Sequence, residues 1–200
     1  FYKIKLGGLN DKKIIEAFRN YSQKQFCVDV NQGWKDKVYA LEMIVWLKEK
    51  GCLFAEQPLP KENEDDLFWL KEKSPLPVIA DEAVKRLKDL ERVSHLYHGI
   101  NIKLMKSAGI YEALKMIRLA KEKKLKILMG CMSESSCAVT AAAHLSRLAD
   151  WADLDGPYLI TNDPFDGMKI EEGRVVIPDR WGIGAVPNGR YGHYTLRWVN

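Results

Sequence analysis

Two hundred residues, 46% of them apolar and 29% charged, suffice for one soluble globular domain with a substantial core and exclude a disordered chain. Thirty-one basic residues against 27 acidic ones leave a net charge of only +4, with no basic stretch interleaved with aromatics, so a nucleic-acid partner is not expected. No apolar run reaches the length of a membrane span, so no membrane partner is expected either.

The first residues, Phe-Tyr-Lys-Ile-Lys, hold neither a signal-peptide apolar region nor an initiator Met, and read as the start of a fragment. Apolar runs predict strands at 2–6, 26–31, 53–56, 78–81, 100–104, 126–130 and 151–154. Amphipathic stretches between them predict helices near 12–21, 35–50, 65–73, 87–94, 111–123 and 135–149. A strand feeding a helix feeding a strand forces parallel neighbours, hence an α/β protein with its sheet buried on both faces. A barrel and a doubly wound sheet both satisfy that pattern. Polar residues separate them, because Lys5, Asp29, Glu56, Asp81, Lys103, Ser133 and Asp153 recur at the C-terminal ends of the strands, which converge on one mouth in a closed β/α barrel. The first five follow at intervals of 24, 27, 25 and 22 residues, each one βα unit. The Gly7-Gly8 pair after the first strand is not the G-x-G-x-x-G turn of a dinucleotide-binding sheet. Eight strands close such a barrel and seven are visible, so a further strand is expected upstream of residue 1. After Pro157 the alternation stops. The expected division is a barrel over residues 1–157 and a tail over 158–200, rich in Gly, Pro and Trp, that packs on the barrel or completes a cap, with one strand pattern at 174–177.

Four cysteines, Cys27, Cys52, Cys131 and Cys137, show no C-x-x-C spacing, and three lie in or beside apolar runs; all four are expected to be reduced, in a cytoplasmic protein.

Asp29, Glu56 and Asp81 hold equivalent places on three successive strands, which sets three carboxylates side by side at the mouth. Charges of one sign at that separation need a cation among them. Hard oxygen ligands without His or Cys favour one Mg²⁺ per site, with Mn²⁺ as a substitute. Taken singly, each acid would read as a helix cap or an ion-pair partner, and Lys3 and Lys5 as surface lysines of an edge strand; the repeated position favours the metal. Lys3 and Lys5 share one strand face while Ile4 and Leu6 point to the helices. Two adjacent ammonium groups depress each other's pKa, as a lysine base near neutral pH requires. Lys103, with Asn101 on its face, stands on the strand beyond the third carboxylate. Lysines on two sides of a metal-bound carboxylate suit removal of its α-proton and return of one to the opposite face, through an enediolate whose charge the metal stabilises.

Lys3-Ile-Lys5, Val28-Asp29-Val30-Asn31-Gln32-Gly33-Trp34, Glu56-Gln57-Pro58, Ala80-Asp81-Glu82 and Asn101-Ile-Lys103-Leu-Met-Lys106 together resemble the enolase superfamily, in its muconate-lactonising-enzyme-like subgroup. The likeness covers nearly the whole chain. Gly130-Cys-Met-Ser-Glu134-Ser and Asp153-Leu-Asp155-Gly-Pro157 resemble the seventh- and eighth-strand segments of dipeptide epimerases, the group that includes enzymes acting on L-Ala-D/L-Glu. The resemblance implies a (β/α)7β TIM-like barrel of which the chain carries strands two to eight, without the first strand and without an N-terminal α+β capping domain. It implies Asp29, Glu56 and Asp81 as metal ligands, Lys5 and Lys103 as the acid/base lysines, and Lys3 tuning Lys5. It places Asp153 and Asp155 on the free α-ammonium of a dipeptide, and two carboxylates at that spacing on a strand offer acceptors suited to an ammonium. Met132, Ser133 and Glu134 would also meet the substrate. The implied reaction is Mg²⁺-dependent epimerisation at the carbon beside the carboxylate, on peptides such as those of peptidoglycan turnover, by a homo-oligomer. Ser107-Ala108-Gly109 departs from the Gly-Gly pair that often follows the sixth-strand lysine in that group.

The same metal and lysines would also serve a cycloisomerase, an o-succinylbenzoate synthase or an N-acylamino acid racemase, whose substrates lack the free ammonium that Asp153 and Asp155 would bind. A truncated, non-catalytic barrel is the reading from another class. His95 and His98 lie on the N-terminal side of the barrel, away from the mouth, and are not expected to bind metal. Lys106 and the lysines of 121–124 read as solvated charge. Trp34 reads as pocket wall or packing, Ser135 equally as a substrate contact or a helix start, and Cys131 and Cys137 as unreactive thiols.

Overall fold

The computed structural model describes residues 1–189. Seven strands, β1 (Tyr2–Lys5), β2 (Phe26–Asp29), β3 (Cys52–Glu56), β4 (Val78–Ala80), β5 (Gly99–Lys103), β6 (Lys126–Gly130) and β7 (Trp151–Ala152), form one parallel sheet in chain order. Six helices lie between them: α1 (Asp11–Tyr21), α2 (Lys37–Glu49), α3 (Glu64–Lys73), α4 (Leu90–Leu96), α5 (Ile110–Glu122) and α6 (Ser136–Ser146). The expected α/β architecture and strand order are present, as a partial barrel. The expected helix at 87–94 is instead a 3-10 turn, Leu87–Asp89, followed by α4. The Asp89 carboxylate accepts the backbone N–H groups of Lys85 and Arg86, which sets the chain's entry into that turn.

Alternation along the strands makes two inward layers. Cys27, Phe54, Ile79 and Leu128 form a buried apolar plug inside the curl of the sheet. Two residues further along their strands stand Asp29, Glu56, Asp81 and Gly130, so the polar row lies directly above the plug. Residues of opposite parity, such as Phe26, Val28, Ala55 and Ile100, join the larger core under the helices with Ile15, Met43, Leu67 and Met116. Register fixes the row: Lys5 pairs with Asp29 across β1 and β2, and Asp29 with Glu56 across β2 and β3.

Beyond β7, a 3-10 turn (Gly156–Leu159) leads to two small antiparallel pairs, β8 (Phe165–Asp166) with β11 (Val186–Pro187), and β9 (Lys169–Glu171) with β10 (Arg174–Val176). The described part of the expected 158–200 tail sits against α6. Met168 is buried and its N–H donates to Thr140 Oγ1, while Val175 and Ile177 pack on the core. Residues 190–200 of that tail lie outside the described residues. Among the described residues, no helix is long and apolar enough to cross a membrane.

Candidate active site

Asp29, Glu56 and Asp81 are 0%, 0% and 4% exposed, and each offers a carboxylate oxygen within 4.8 Å of the others. Lysines from both sides of the row reach into them. Lys3 Nζ lies 3.2 Å from Asp29 Oδ2, 2.9 Å from Glu56 Oε2 and 2.9 Å from Asp153 Oδ2. Lys5 Nζ donates to the same Asp29 oxygen at 2.6 Å and to Asn31 Oδ1 at 3.0 Å. From the opposite wall Lys103 Nζ donates to Asp81 Oδ2 at 2.7 Å, and Lys106 Nζ donates to Asp81 Oδ1 and to its backbone carbonyl.

The expectation that Lys3 and Lys5 depress each other fails at Lys3. Burial alone would lower its pKa, but Glu56, Asp153 and Asp29 surround the ammonium and raise the pKa instead. Lys106 is likewise not a solvated charge, since its side chain is only 10% exposed. Burial lowers its pKa, against the pull of Asp81. At Asp81 burial would raise the pKa, yet Lys106 and Lys103 overcome it and hold the carboxyl down to about 2. Glu56 goes the other way. Burial, with Asp29 and Asp81 beside it, pushes its carboxyl up to about 7 despite Lys3.

Three residues outside the predicted set shape this row. Asn101 donates from Nδ2 to Glu56 Oε1 at 2.6 Å. Gln57, fully buried, accepts the N–H groups of Asp81 and Ala83 on Oε1 and donates from Nε2 to Leu59 O and Tyr97 Oη. It thereby fixes the backbone of one carboxylate from the residue that follows another. Asp11, also buried, accepts from the N–H groups of Gly7 and Gly8 and from Trp34 Nε1 at 2.8 Å. Trp34 is thus packing and anchor, not pocket wall. A Gly-x-x-Asp start to α1 and a Gln after a strand-end Glu are visible in the sequence, but nothing in either says what lies across the mouth.

Lys3, Lys5, Lys103, Asp81, Met132, Ser133, Asp153 and Asp155 line one cleft of about 770 Å³ at the C-terminal ends of the strands. Asp155 has its pKa raised by burial and by Asp153. Glu134 turns away to accept the N–H of Met132 at 2.8 Å, and its other oxygen is buried without a partner among the described residues. Ser135 starts α6 without a side-chain cap; Asp163 supplies it, accepting Ser136 N at 2.7 Å. His98 Nδ1 accepts the N–H of Val78, a packing role, and His95 is exposed beside Glu91. The cysteines are free, and burial pushes the Cys131 thiol up to about 12.

The carboxylate row fits a divalent ion. Its donors are hard oxygens, its members are buried, and Glu56 Oε2 meets Lys3 as an ion pair but accepts no aligned hydrogen bond. Burial, with Asp29 and Asp81 beside it, outweighs Lys3 at Glu56, a carboxylate that a further cation would stabilise.

Comparison with known proteins agrees with that geometry. The chain is 50% identical to an L-Ala-D/L-Glu epimerase of Bacteroides thetaiotaomicron over 92% of its own length and 48% of that protein's. It is 44% identical to an L-Ala-D/L-amino acid epimerase of Pedosphaera parvula over 90% of its length and 54% of that protein's. The chain therefore spans about half the length of the curated relatives it matches. Its fold superimposes with a TM-score of 0.85 and 29% identity on a dipeptide epimerase from Cytophaga hutchinsonii complexed with Mg and the dipeptide D-Ala-L-Val, covering 96% of this chain and 55% of that one. The family model for the enolase C-terminal domain-like fold matches residues 1–191, and the chain belongs to that family.

Proposed function

We propose that this chain is the barrel of a Mg²⁺-dependent dipeptide epimerase, an isomerase that inverts the α-carbon beside the substrate carboxylate. The observation that carries the reading is the placement of Lys5 and Lys103 on opposite sides of the buried Asp29, Glu56 and Asp81 row. Those three carboxylates would hold the ion, whose charge would stabilise the enediolate formed at the substrate carboxylate. Lys5, as the neutral amine, would take the α-proton on one face while Lys103, as the ammonium, delivers one on the other, or the reverse for the opposite epimer. Both ammonium groups rest on ligand carboxylates here, so occupation of the row by a dication would free them for that work. Lys3 keeps Asp29 and Glu56 in register and adds positive charge beside Lys5. Asp153 and Asp155 would receive the α-ammonium, with Met132 and Ser133 closing the same side and Glu134 holding the Met132 N–H. The names of the close relatives support dipeptides, L-Ala-L-Glu among them, over cycloisomerisation, o-succinylbenzoate synthesis or N-acylamino acid racemisation. A cytoplasmic homo-oligomer acting in peptidoglycan peptide turnover is the setting this reading implies.

The test is α-proton exchange in D₂O with Mg²⁺ and a dipeptide library, read by mass spectrometry on the whole protein. Exchange that needs Mg²⁺ and is lost in Lys5→Ala and Lys103→Ala is the expected result. Exchange confined to N-acylated or cyclic acids would overturn the dipeptide assignment.

A further inference from the structure

Most charged side chains lining the cleft are committed to one another: Lys3 to Asp29, Glu56 and Asp153, Lys5 to Asp29, and Lys103 and Lys106 to Asp81. Lys85 is the exception among the lining cations. It lies on the loop after β4, it is exposed, and among the described residues its ammonium meets no carboxylate within ion-pair distance. Its backbone, in contrast, is fixed. The N–H groups of Lys85 and Arg86 both donate to Asp89 Oδ2 at 2.9 Å, and Arg86 is locked to Glu112 by two hydrogen bonds of 2.8 and 2.7 Å. Glu82, the acid nearest in sequence, accepts from Asn31 Nδ2 rather than pairing with Lys85. A pinned backbone thus presents an uncommitted cation at the cleft, where it can meet an anion.

Its place in the mouth matters as much as its freedom. β4 is the middle strand of the sheet and β7 its end, so in a curled sheet the loop after β4 faces the β1 and β7 side across the mouth. Asp153 and Asp155 stand on that far side, and the carboxylate row lies between. We propose, resting on the epimerase reading above, that Lys85 is a specificity-determining residue that binds an acidic side chain on the amino acid whose α-carbon is inverted. A dipeptide with three charged groups then meets three complementary stations: its ammonium at Asp153 and Asp155, its α-carboxylate at the row, its side-chain carboxylate at Lys85. Met105, Met132 and Leu159, which also line the cleft, offer no competing charge.

The isosteric pair L-Ala-L-Glu and L-Ala-L-Gln isolates that charge. Binding of each is measured by calorimetry in Mg²⁺ on the whole protein, alongside their epimerisation kinetics. The native protein is expected to favor L-Ala-L-Glu, and Lys85→Met to lose roughly three- to tenfold of that preference, in Kd and KM with little change in kcat, the range for a partly solvated charge contact. Lys85→Glu is expected to reverse the charge preference, binding L-Ala-L-Lys better than L-Ala-L-Glu. A native protein that does not distinguish Glu from Gln, or a preference that survives Lys85→Met, overturns the assignment, as does failure to bind either dipeptide. Preferential binding lost in Lys85→Met but without turnover upholds Lys85 and refutes the epimerase reading, so the two claims fail separately.

Discussion

At the scale of single residues the site is a contest between burial and charge, and Glu56 shows which wins. Four carboxylates, Asp29, Glu56, Asp81 and Asp153, face four ammonium groups, Lys3, Lys5, Lys103 and Lys106, yet the pairing is uneven. Asp81 has two lysines to itself, whereas Glu56 shares one with two other acids. The consequence is a Glu56 pKa of about 7 against an ordinary 4.5, with burial as the main cause. A carboxyl whose pKa is raised on folding favors the folded state while protonated, fully below about pH 4.5, and loses that contribution as pH rises through about 7. A divalent ion must displace that proton. Mg²⁺ binding at pH 6 is therefore expected to release close to one proton, falling toward none at pH 8, as read by calorimetry in buffers of differing ionisation heat. Proton release that does not change between those pH values would refute the assignment of the raised pKa to a ligand. In the sequence, the strand-end acids and Lys3, Lys5 and Lys103 were legible because they repeat at one-unit spacing. Lys106 was not, because a lysine in the turn after a strand carries no mark of burial until the turn folds it back onto Asp81.

At the scale of elements, the loops after β1 and β2 are joined by a contact no periodicity reveals. Gly7, at φ +104°, and Gly33 pack backbone to backbone, such that a Cβ on Gly33 would clash with the Gly7 main chain. The Asp11 carboxylate completes the join by accepting from Gly7, Gly8 and Trp34, which belongs to the second loop. Lys5 and Asp29 lie immediately before these loops, so the join holds proton-transfer group and ligand in register. Asp11→Asn places an amide donor among N–H groups that need acceptors. It is expected to cost about 1–3 kcal/mol of stability by chemical denaturation, the penalty of stranded buried donors. If unfolding were unchanged, the join would be incidental. Apolar periodicity found the seven strands of the parallel sheet and the six helices between them, since all of these pack on one core, whereas of the four short tail strands only the pattern at 174–177 was visible. Their ends shifted wherever a loop supplies the cap: Asp163 begins α6 from 27 residues away, and such long-range partners are invisible to a local pattern.

For the whole molecule, β1 and β7 are each paired on one side only among the described residues, and the space between them is bridged at two levels. Lys3 reaches Asp153 at 2.9 Å in the polar layer, and Phe54 packs at a tilt against Trp151 at 4.5 Å between centroids, with Phe1 edge-on to Phe54, in the apolar layer below. The polar layer is thus a structural bridge built on a carboxylate cluster that destabilises itself. Ligands from β2, β3 and β4, with lysines from β1 and β5, mean that an ion in the row would tie together most of the sheet. An ion that binds only the folded state at a hundred times its Kd adds about 2.7 kcal/mol of stability. Glu56→Gln separates the two roles of that acid. The neutral amide keeps the volume and can still accept from Asn101, while it removes the charge that burial opposes most. At pH 8 without metal the variant is expected to unfold at a temperature no lower than the parent's, despite the lost ion pair with Lys3. With Mg²⁺ the order is expected to invert, because the parent gains stability and the variant gains little. Thermal melts across a Mg²⁺ titration read both arms, and a metal-free variant less stable than its parent would mean that Lys3 outweighs burial at Glu56.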